Sequence, residues 1–400
     1  MKKTFLLLIL STSFACNSQT NRVLSVDINN TRVQVGAAQT QEYFPFLRGK
    51  NTALCVNHTA AIGDVHLLDT LISAGINVVK VFAPEHGFRG DEEAGKTINN
   101  SVDAKTDVPI VSIYGQNKKP TKEQLQGVDV IVFDIQDVGV RFFTYISTLH
   151  YVMEAAAENN VNVMVLDRPN PNGYWVDGPV LDTAYKSFVG MHPIPIAHGM
   201  TVGEYAQMIN GEGWLANKKQ CNLTVIQMVG YTHFLRYQLP NHPSPNLSSM
   251  AAVYLYPTLC MFEGTCMSVG RGTEKPFCVF GHPDFSAGDM YFTPKSIPNA
   301  AENPPHLGVK CRGFDLTDYS LNILKNSNFI DVNLLIEAYK NYPNKGKFFT
   351  SFFDKLAGNK SLREQIIAGK TAEDIRTSWK KDLDTFKKIR KKYLLYPDFE

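Results

Sequence analysis

The chain has 400 residues, 44% of them hydrophobic, and its 40 Lys and Arg against 38 Asp and Glu give a formal net charge of +2. A chain of this length and apolar content can bury a large core, and it favours two domains over one. The near-neutral charge and the scattered basic residues argue against an electrostatic nucleic-acid binder, so no nucleic-acid partner is expected.

The N-terminus has the pattern of an export signal. Two lysines precede the apolar run 5–10, which is too short to span a bilayer, and small residues lead to Cys16. A cysteine directly after a small residue at the end of a signal resembles the processing site of bacterial lipoproteins. We therefore expect residues 1–16 to be a signal peptide that ends at a lipidated Cys16, and residues 17–40 to be a linker. This predicts an exported protein, periplasmic or anchored to the outer membrane, that contacts membrane only through its lipid.

Residues 41–238 alternate short apolar runs with helical patterns, which predicts a parallel sheet covered by helices on both faces. The predicted strands, in chain order, are 53–56, 78–83, 109–114, 129–134, 161–166 and 193–197. Thr201, with Glu204 three residues later, has the spacing of a helix capping box. Residues 239–400 change character, with proline-rich stretches and mostly helical patterns, and they predict a second, smaller α+β domain.

Polar side chains follow five of the predicted strands. They are Asn57 and His58 after the first, Glu85, His86 and Arg89 after the second, Asp134 at the end of the fourth, Asp167 and Arg168 after the fifth, and His198 after the last. In an open α/β sheet, ligands bind at the carboxyl ends of the strands. An ion-paired turn explains Glu85 and His86 alone, whereas five polar strand ends together predict a shared cleft.

A glycine-rich segment in the second half offers a partner for this cleft. Arg271 lies between two glycines, which let the backbone approach a ligand closely, with Glu263 before it and Glu274 after it. The segment does not match a P-loop, and the chain has no GxGxxG after its first strand, no GxSxG and no HExxH. The six cysteines beyond Cys16 match no zinc spacing. We therefore predict neither a cofactor nor a metal.

A cleft rich in carboxylates and arginines suits glycoside hydrolysis of an anionic sugar. That reaction needs one carboxylic acid to protonate the leaving oxygen and a second group to act as base or nucleophile. Guanidinium groups bind a substrate carboxylate through two hydrogen bonds. A carboxyl esterase or amidase would need an activated nucleophile, which the sequence does not reveal.

Several motifs in fixed order resemble those of the NamZ/YbbC exo-β-N-acetylmuramidases. They occupy residues 84–90, 139–145, 167–171, 198–201, 262–265, 268–276, 377–379 and 393–397. The resemblance implies a Rossmann-like domain beside a smaller α+β domain, with the cleft between them. It also implies an enzyme of cell-wall recycling that removes terminal non-reducing N-acetylmuramic acid from muropeptides and muramyl-glucosamine fragments.

With this resemblance, Glu85 is predicted to be the general acid/base, tuned and positioned by His86 and Arg89. Its partner is left open between Glu263, Asp134 and the 2-acetamido group of the substrate itself.

The lactyl carboxylate of the sugar is predicted to bind Arg141, Arg168 or Arg271. The remaining predicted substrate contacts are Asn57, His58, His198 and Glu274. A non-catalytic lipoprotein that binds muropeptides in the same cleft is the alternative function.

Overall fold

The structure, a computed structural model, describes residues 33–88 and 100–400. The strands in this part of the chain are β1 Thr52–Val56, β2 Ala61–Ile62, β3 Val65–His66, β4 Val78–Ala83, β5 Ser101–Val102, β6 Pro109–Ser112, β7 Val130–Asp134, β8 Asn162–Leu166, β9 Leu223–Ile226, β10 Val279–His282, β11 Met290–Phe292 and β12 Cys311–Asp315. The α-helices are α1 Thr40–Leu47, α2 Leu67–Ser73, α3 Tyr145–Asn159, α4 Val202–Gly211, α5 Met250–Leu259, α6 Thr317–Asn322, α7 Val332–Asn341, α8 Phe353–Ala357, α9 Ser361–Ile367 and α10 Ala372–Arg390.

Four predictions lie wholly or mostly outside the described residues. They concern the signal peptide, the lipidated Cys16, the linker 17–40, of which only residues 33–40 are described, and Arg89. The boundary predicted between residues 238 and 239 is not tested by the fold and stays a prediction.

The central sheet has seven strands in the order β5-β6-β4-β1-β7-β8-β9, and all neighbours pair in parallel except β5 with β6. The chain runs outward from β1 to β4 and β6, and then returns to place β7 on the other side of β1. The strand order therefore reverses between β1 and β7, as it does in Rossmann-like sheets. The predicted α/β fold with a parallel sheet is confirmed.

Both faces of this sheet are buried, and alternate residues of each strand point to opposite faces. In β1, Leu54 and Val56 pack in the cluster that contains residues of α1 and α2, while Ala53 and Cys55 pack in the cluster that contains residues of α3 and α4. All four side chains are fully buried. Two covered faces explain why the strands read as continuous apolar runs.

The sixth predicted strand, 193–197, is wrong. Its residues make only isolated bridges, from Ala197 to Val140 and to Asp177. Pro193 and Pro195 lack the N–H groups that a central strand must donate, which explains the failure.

The sixth parallel strand is instead β9, at the edge of the sheet. It has four residues, of which only Ile226 is buried, so its apolar pattern is weak. The predicted capping box is confirmed, because Thr201 and Glu204 exchange both hydrogen bonds at the start of α4.

The second region contains a three-stranded antiparallel sheet in the order β10-β12-β11 and most of the later helices. One hydrophobic cluster extends from the α3 and α4 face of the central sheet into this region. It includes Phe133 of β7, Leu255 of α5 and Phe280 of β10. The two regions therefore share a core, which fixes the cleft walls relative to each other.

The six cysteines in the described part of the chain are free thiols, five of them buried and Cys266 half-buried. This confirms the prediction that most of them serve as small apolar side chains. Among the described helices, none is both long enough and apolar enough to cross a membrane.

Candidate active site

A strained turn follows β4 at the position predicted for the catalytic acid. His86 has φ 67° and Gly87 has φ 75°, and the Gly87 N–H donates to the Pro84 carbonyl oxygen at 3.0 Å. A positive φ is uncommon for a non-glycine residue, and such strain is typical of functional sites. The turn leaves Glu85 half-buried and His86 buried.

Two hydroxyl groups hold the carboxylate of Glu85. The Thr144 hydroxyl donates to Oε2 at 2.5 Å, and the Tyr114 hydroxyl donates to Oε1 at 2.7 Å. Thr144 is the residue before α3, so the positive end of the helix dipole also lies next to this carboxylate. Both carboxylate oxygens therefore have a fixed orientation.

Tyr145 contacts the backbone of the same turn. The Asn57 amide donates to the Tyr145 hydroxyl at 2.9 Å, and that hydroxyl donates to the backbone oxygen of Glu85 at 3.4 Å. Burial and the nearby Glu85 charge raise the pKa of Tyr145, so it stays a hydrogen-bond donor.

Glu85 and His86 line a pocket between the central sheet and the second region. Glu263 and Arg271, from the second region, line the same pocket. Most of the remaining lining is apolar or aromatic: Phe142, Phe143, Tyr145, Val189, Leu247, Tyr256, Phe277, Phe352 and Leu356. Few polar groups in a largely apolar pocket is the usual composition of a small-molecule site.

Glu263 and Arg271 form an ion pair in this pocket. The Arg271 Nε donates to Glu263 Oε1 at 2.6 Å, and the Cys260 thiol donates to Oε2 at 3.7 Å. The guanidinium also lies 4.9 Å from the centre of the Phe277 ring. Although burial disfavours the charged form of Arg271, the Glu263 carboxylate raises the pKa of this side chain.

The structure therefore brings four predicted site residues together: Glu85, His86, Glu263 and Arg271. They come from two distant parts of the chain. Glu274 follows Arg271 in the same loop but lines a different pocket, with Lys275 and Phe292.

Asp134 and Arg168 do not reach this pocket, which corrects their predicted roles. Asp134 is fully buried, and its two oxygens accept from Arg168 Nε at 2.5 Å and Nη2 at 2.9 Å. Nη2 also donates to the Ala61 carbonyl at 3.0 Å. Both charges are therefore used within the protein, at the ends of β7 and β8.

Three further predicted contacts also have internal partners. Arg141 is fully buried and donates to the backbone carbonyls of Pro179, Ile194 and Leu356. The buried His198 accepts from the Met200 N–H through Nδ1, and burial lowers its pKa to about 3. Asn57, as described above, holds the Tyr145 hydroxyl.

His58 connects the end of β1 to a later part of the chain. Its Nε2 lies 2.7 Å from the backbone oxygen of His242, in the proline-rich stretch after the first half of the chain. This contact joins the end of β1 to the segment that leads into the second region.

Sequence reasoning assigned no role to the hydroxyls that hold Glu85. Thr144 and Tyr145 lie inside the motif 139–145, and Tyr114 ends a predicted strand at the same sheet edge. Their positions in the sequence could have indicated a role in the site. Hydroxyl and aromatic side chains are too common near strand ends, however, to distinguish these residues from others. In the described parts of the chain, no group of three or more His, Cys, Asp or Glu side chains is arranged to hold a metal ion.

Comparison with known proteins gives consistent matches over most of the chain. A family model described as the N-terminal part of the exo-beta-N-acetylmuramidase NamZ matches residues 52–251, and the model of its C-terminal part matches residues 254–396. The peptidoglycan beta-N-acetylmuramidase NamZ of Bacillus subtilis (strain 168) is 40% identical over 379 residues, which is 89% of each chain.

Solved structures match as well. Two DUF1343 family proteins from Bacteroides fragilis NCTC 9343 are similar to this chain. One is 48% identical with a TM-score of 0.85, and the other is 32% identical with a TM-score of 0.77. Each comparison covers 92% of this chain and 99% of the other.

The ion pair of Asp134 and Arg168 can be tested by stability. Arg168→Met leaves a buried, unpaired carboxylate, and we expect the free energy of unfolding to fall by about 3–5 kcal/mol. The double variant with Asp134→Leu should recover part of this loss. Lys340→Met, which removes an exposed partner of Glu337, is the control and should cost less than about 1 kcal/mol. Equal losses at the two sites in denaturant unfolding would contradict a structural role for the buried pair.

A second test concerns Asp137, whose pKa burial raises from 3.8 to about 7, although backbone N–H groups of Gly139 and Val138 oppose the shift. Between these pH values the folded protein binds this proton more tightly than the unfolded chain. The contribution of Asp137 to stability is therefore present below about pH 4 and lost as the pH rises through 7. In Asp137→Asn we expect unfolding free energy to fall less steeply over this window than in the wild type. A parallel shift of the Asp137→Asn curve, with the slope of the wild type kept, would refute the assignment.

Proposed function

Because the chain belongs to the NamZ family of exo-β-N-acetylmuramidases, we propose that it is a glycoside hydrolase that releases terminal non-reducing N-acetylmuramic acid from peptidoglycan. The observation that carries this proposal is the pocket that Glu85 shares with the Glu263–Arg271 pair. The first lies in the range of the N-terminal family match and the other two in that of the C-terminal match. The complete site therefore needs both parts of the family.

Glu85 is the proton donor in this proposal. Glycoside cleavage requires a carboxylic acid next to the leaving oxygen, and that acid later accepts a proton from water. The Thr144 and Tyr114 hydroxyls fix both carboxylate oxygens, and a hydroxyl can donate to the ionised form or accept from the protonated form. The support is thus compatible with both states of the cycle.

The geometry favours Glu263 over Asp134 as the second catalytic group. Glu263 lines the pocket and is a quarter exposed, whereas Asp134 is fully buried and bound to Arg168. The 2-acetamido group of the substrate is the remaining alternative for this role.

Arg271 is the proposed partner of the lactyl carboxylate. Of the three arginines predicted for this role, it is the one that lines the pocket. Its Nε is bonded to Glu263, and the planar guanidinium presents further N–H donors on its two terminal nitrogens. A single guanidinium can therefore bind Glu263 and the substrate at once.

The substrates and location are proposed on the sequence pattern. Soluble muropeptides and muramyl-glucosamine fragments are the proposed substrates, in the recycling of cell-wall material. Residues 1–16 have the pattern of a lipoprotein signal, so the enzyme is proposed to act in the periplasm or on the outer membrane, anchored through Cys16. A non-catalytic binding protein is the less favoured alternative, since the Bacillus relative is named for its muramidase activity.

The catalytic assignment predicts that Glu85→Gln reduces release of N-acetylmuramic acid from a muramyl-glucosamine disaccharide by about 10²–10⁴-fold, because the proton donor is lost. Released sugar is measured by chromatography, and circular dichroism checks the fold. Glu274→Gln, outside the pocket, is the matched control and should stay near wild-type activity. Near-normal release by Glu85→Gln would mean that another group donates the proton.

The anchor predicts a lipid-modified Cys16 in the mature protein. Mass spectrometry of protein purified from its membrane fraction should show an acylated N-terminal cysteine, and Cys16→Ala should move the protein into the soluble fraction. An unmodified Cys16, or a Cys16→Ala variant that still sediments with membranes, would exclude the anchor.

A further inference from the structure

Phe352 differs from the other aromatic side chains of the pocket because it is 38% exposed. Phe142, Phe143, Tyr256 and Phe277 are buried to at least nine-tenths. Phe352 therefore lies where the pocket meets solvent, directly before α8. An aromatic ring in this position offers an apolar surface to any ligand that extends out of the pocket.

We propose that Phe352 is the platform on which the first sugar of the leaving chain stacks. This inference rests on the proposed function and names the residue that recognises the other side of the scissile bond. An enzyme that removes one terminal sugar holds that sugar inside the pocket and the rest of the chain at its opening. A β-linked amino sugar presents a face of C–H groups, which an exposed aromatic ring can cover.

The position of Phe352 is fixed relative to Glu263 of the pocket. The backbone N–H and the hydroxyl of Thr350 both donate to the Gly264 carbonyl, at 2.9 and 3.1 Å, and the Phe352 N–H donates to the Thr350 hydroxyl at 3.3 Å. Gly264 directly follows Glu263. A Cβ on Gly264 would come within 2.4 Å of the Phe353 Cα, so only glycine allows this close approach.

A second pocket is lined by residues 349–351, directly before Phe352, and is the proposed continuation of the path of the leaving chain. It is lined by Tyr339, Phe349, Thr350, Ser351, Arg363 and Ile367, among others. The Tyr339 and Phe349 rings are stacked with centroids 5.6 Å apart. Arg363 is paired with Asp354 in this lining, so the aromatic rings and the hydroxyls are the groups that suit an acetamido sugar.

The test compares two substrates, muramyl-glucosamine disaccharide and methyl β-N-acetylmuramide, which has no second sugar ring. The measured quantity is kcat/KM for the disaccharide divided by kcat/KM for the methyl glycoside. In Phe352→Ala this ratio should fall about tenfold, the loss expected for exposing one side of a ring that was covered. Phe352→Trp should keep the ratio, because it restores an aromatic surface. Tyr291→Ala removes a 58% exposed aromatic ring on β11, outside the pocket, and should also keep it.

Binding gives a second readout that does not depend on turnover. Titration with chitobiose in its N,N′-diacetylated form should show weaker binding to Phe352→Ala than to the wild type. The platform is refuted if Phe352→Ala lowers kcat/KM for both substrates by the same factor and binds chitobiose as tightly as the wild type does. If the wild type releases muramic acid from neither substrate, the proposed function fails, and the chitobiose titration alone then supports or overturns the platform.

Discussion

The fold depends on the buried ion pair between Asp134 and Arg168. It lies beside the reversal of the strand order, where open α/β sheets usually bind their ligands. In this protein that crevice is filled by internal contacts: the Arg168 guanidinium binds Asp134 and the Ala61 carbonyl, and the Gln136 amide donates to the Pro169 carbonyl at 2.7 Å. Because these groups satisfy one another, the pocket is displaced toward β4 and the second region.

The polar side chains at the ends of β7 and β8 therefore have different surroundings from those at the end of β4. At β7 and β8 the charges compensate each other directly, and removing either one leaves a costly buried charge. After β4, Glu85 is half-buried, and the hydroxyls of Tyr114 and Thr144 donate to its carboxylate. A half-buried carboxylate in a pocket lining is accessible to a ligand, whereas the fully buried Asp134 is not. The proposed catalytic carboxylate is thus the one that the fold leaves next to the pocket.

The sequence predicted the sheet and one wall of the pocket well, for physical reasons. Strands buried on both faces give strong apolar runs, and the change at Pro84 marks where β4 ends. The strand predicted at residues 193–197 was wrong, because two isoleucines favour a strand there but two prolines lack the N–H donors that a strand needs. The sequence also could not predict that Arg141 binds carbonyls of residues as distant as Leu356. A strand end shows that polar groups meet at an edge, but their partners depend on loops that only the fold brings together.

The hydrophobic cluster that runs from β7 through α5 to β10 has a consequence for how the pocket meets a ligand. Rotating the two regions apart would expose this apolar surface to water, so a wide hinge opening is unfavourable. The pocket is therefore shaped before any ligand arrives. A ligand that fits it gives up little of its binding free energy to rearranging the protein.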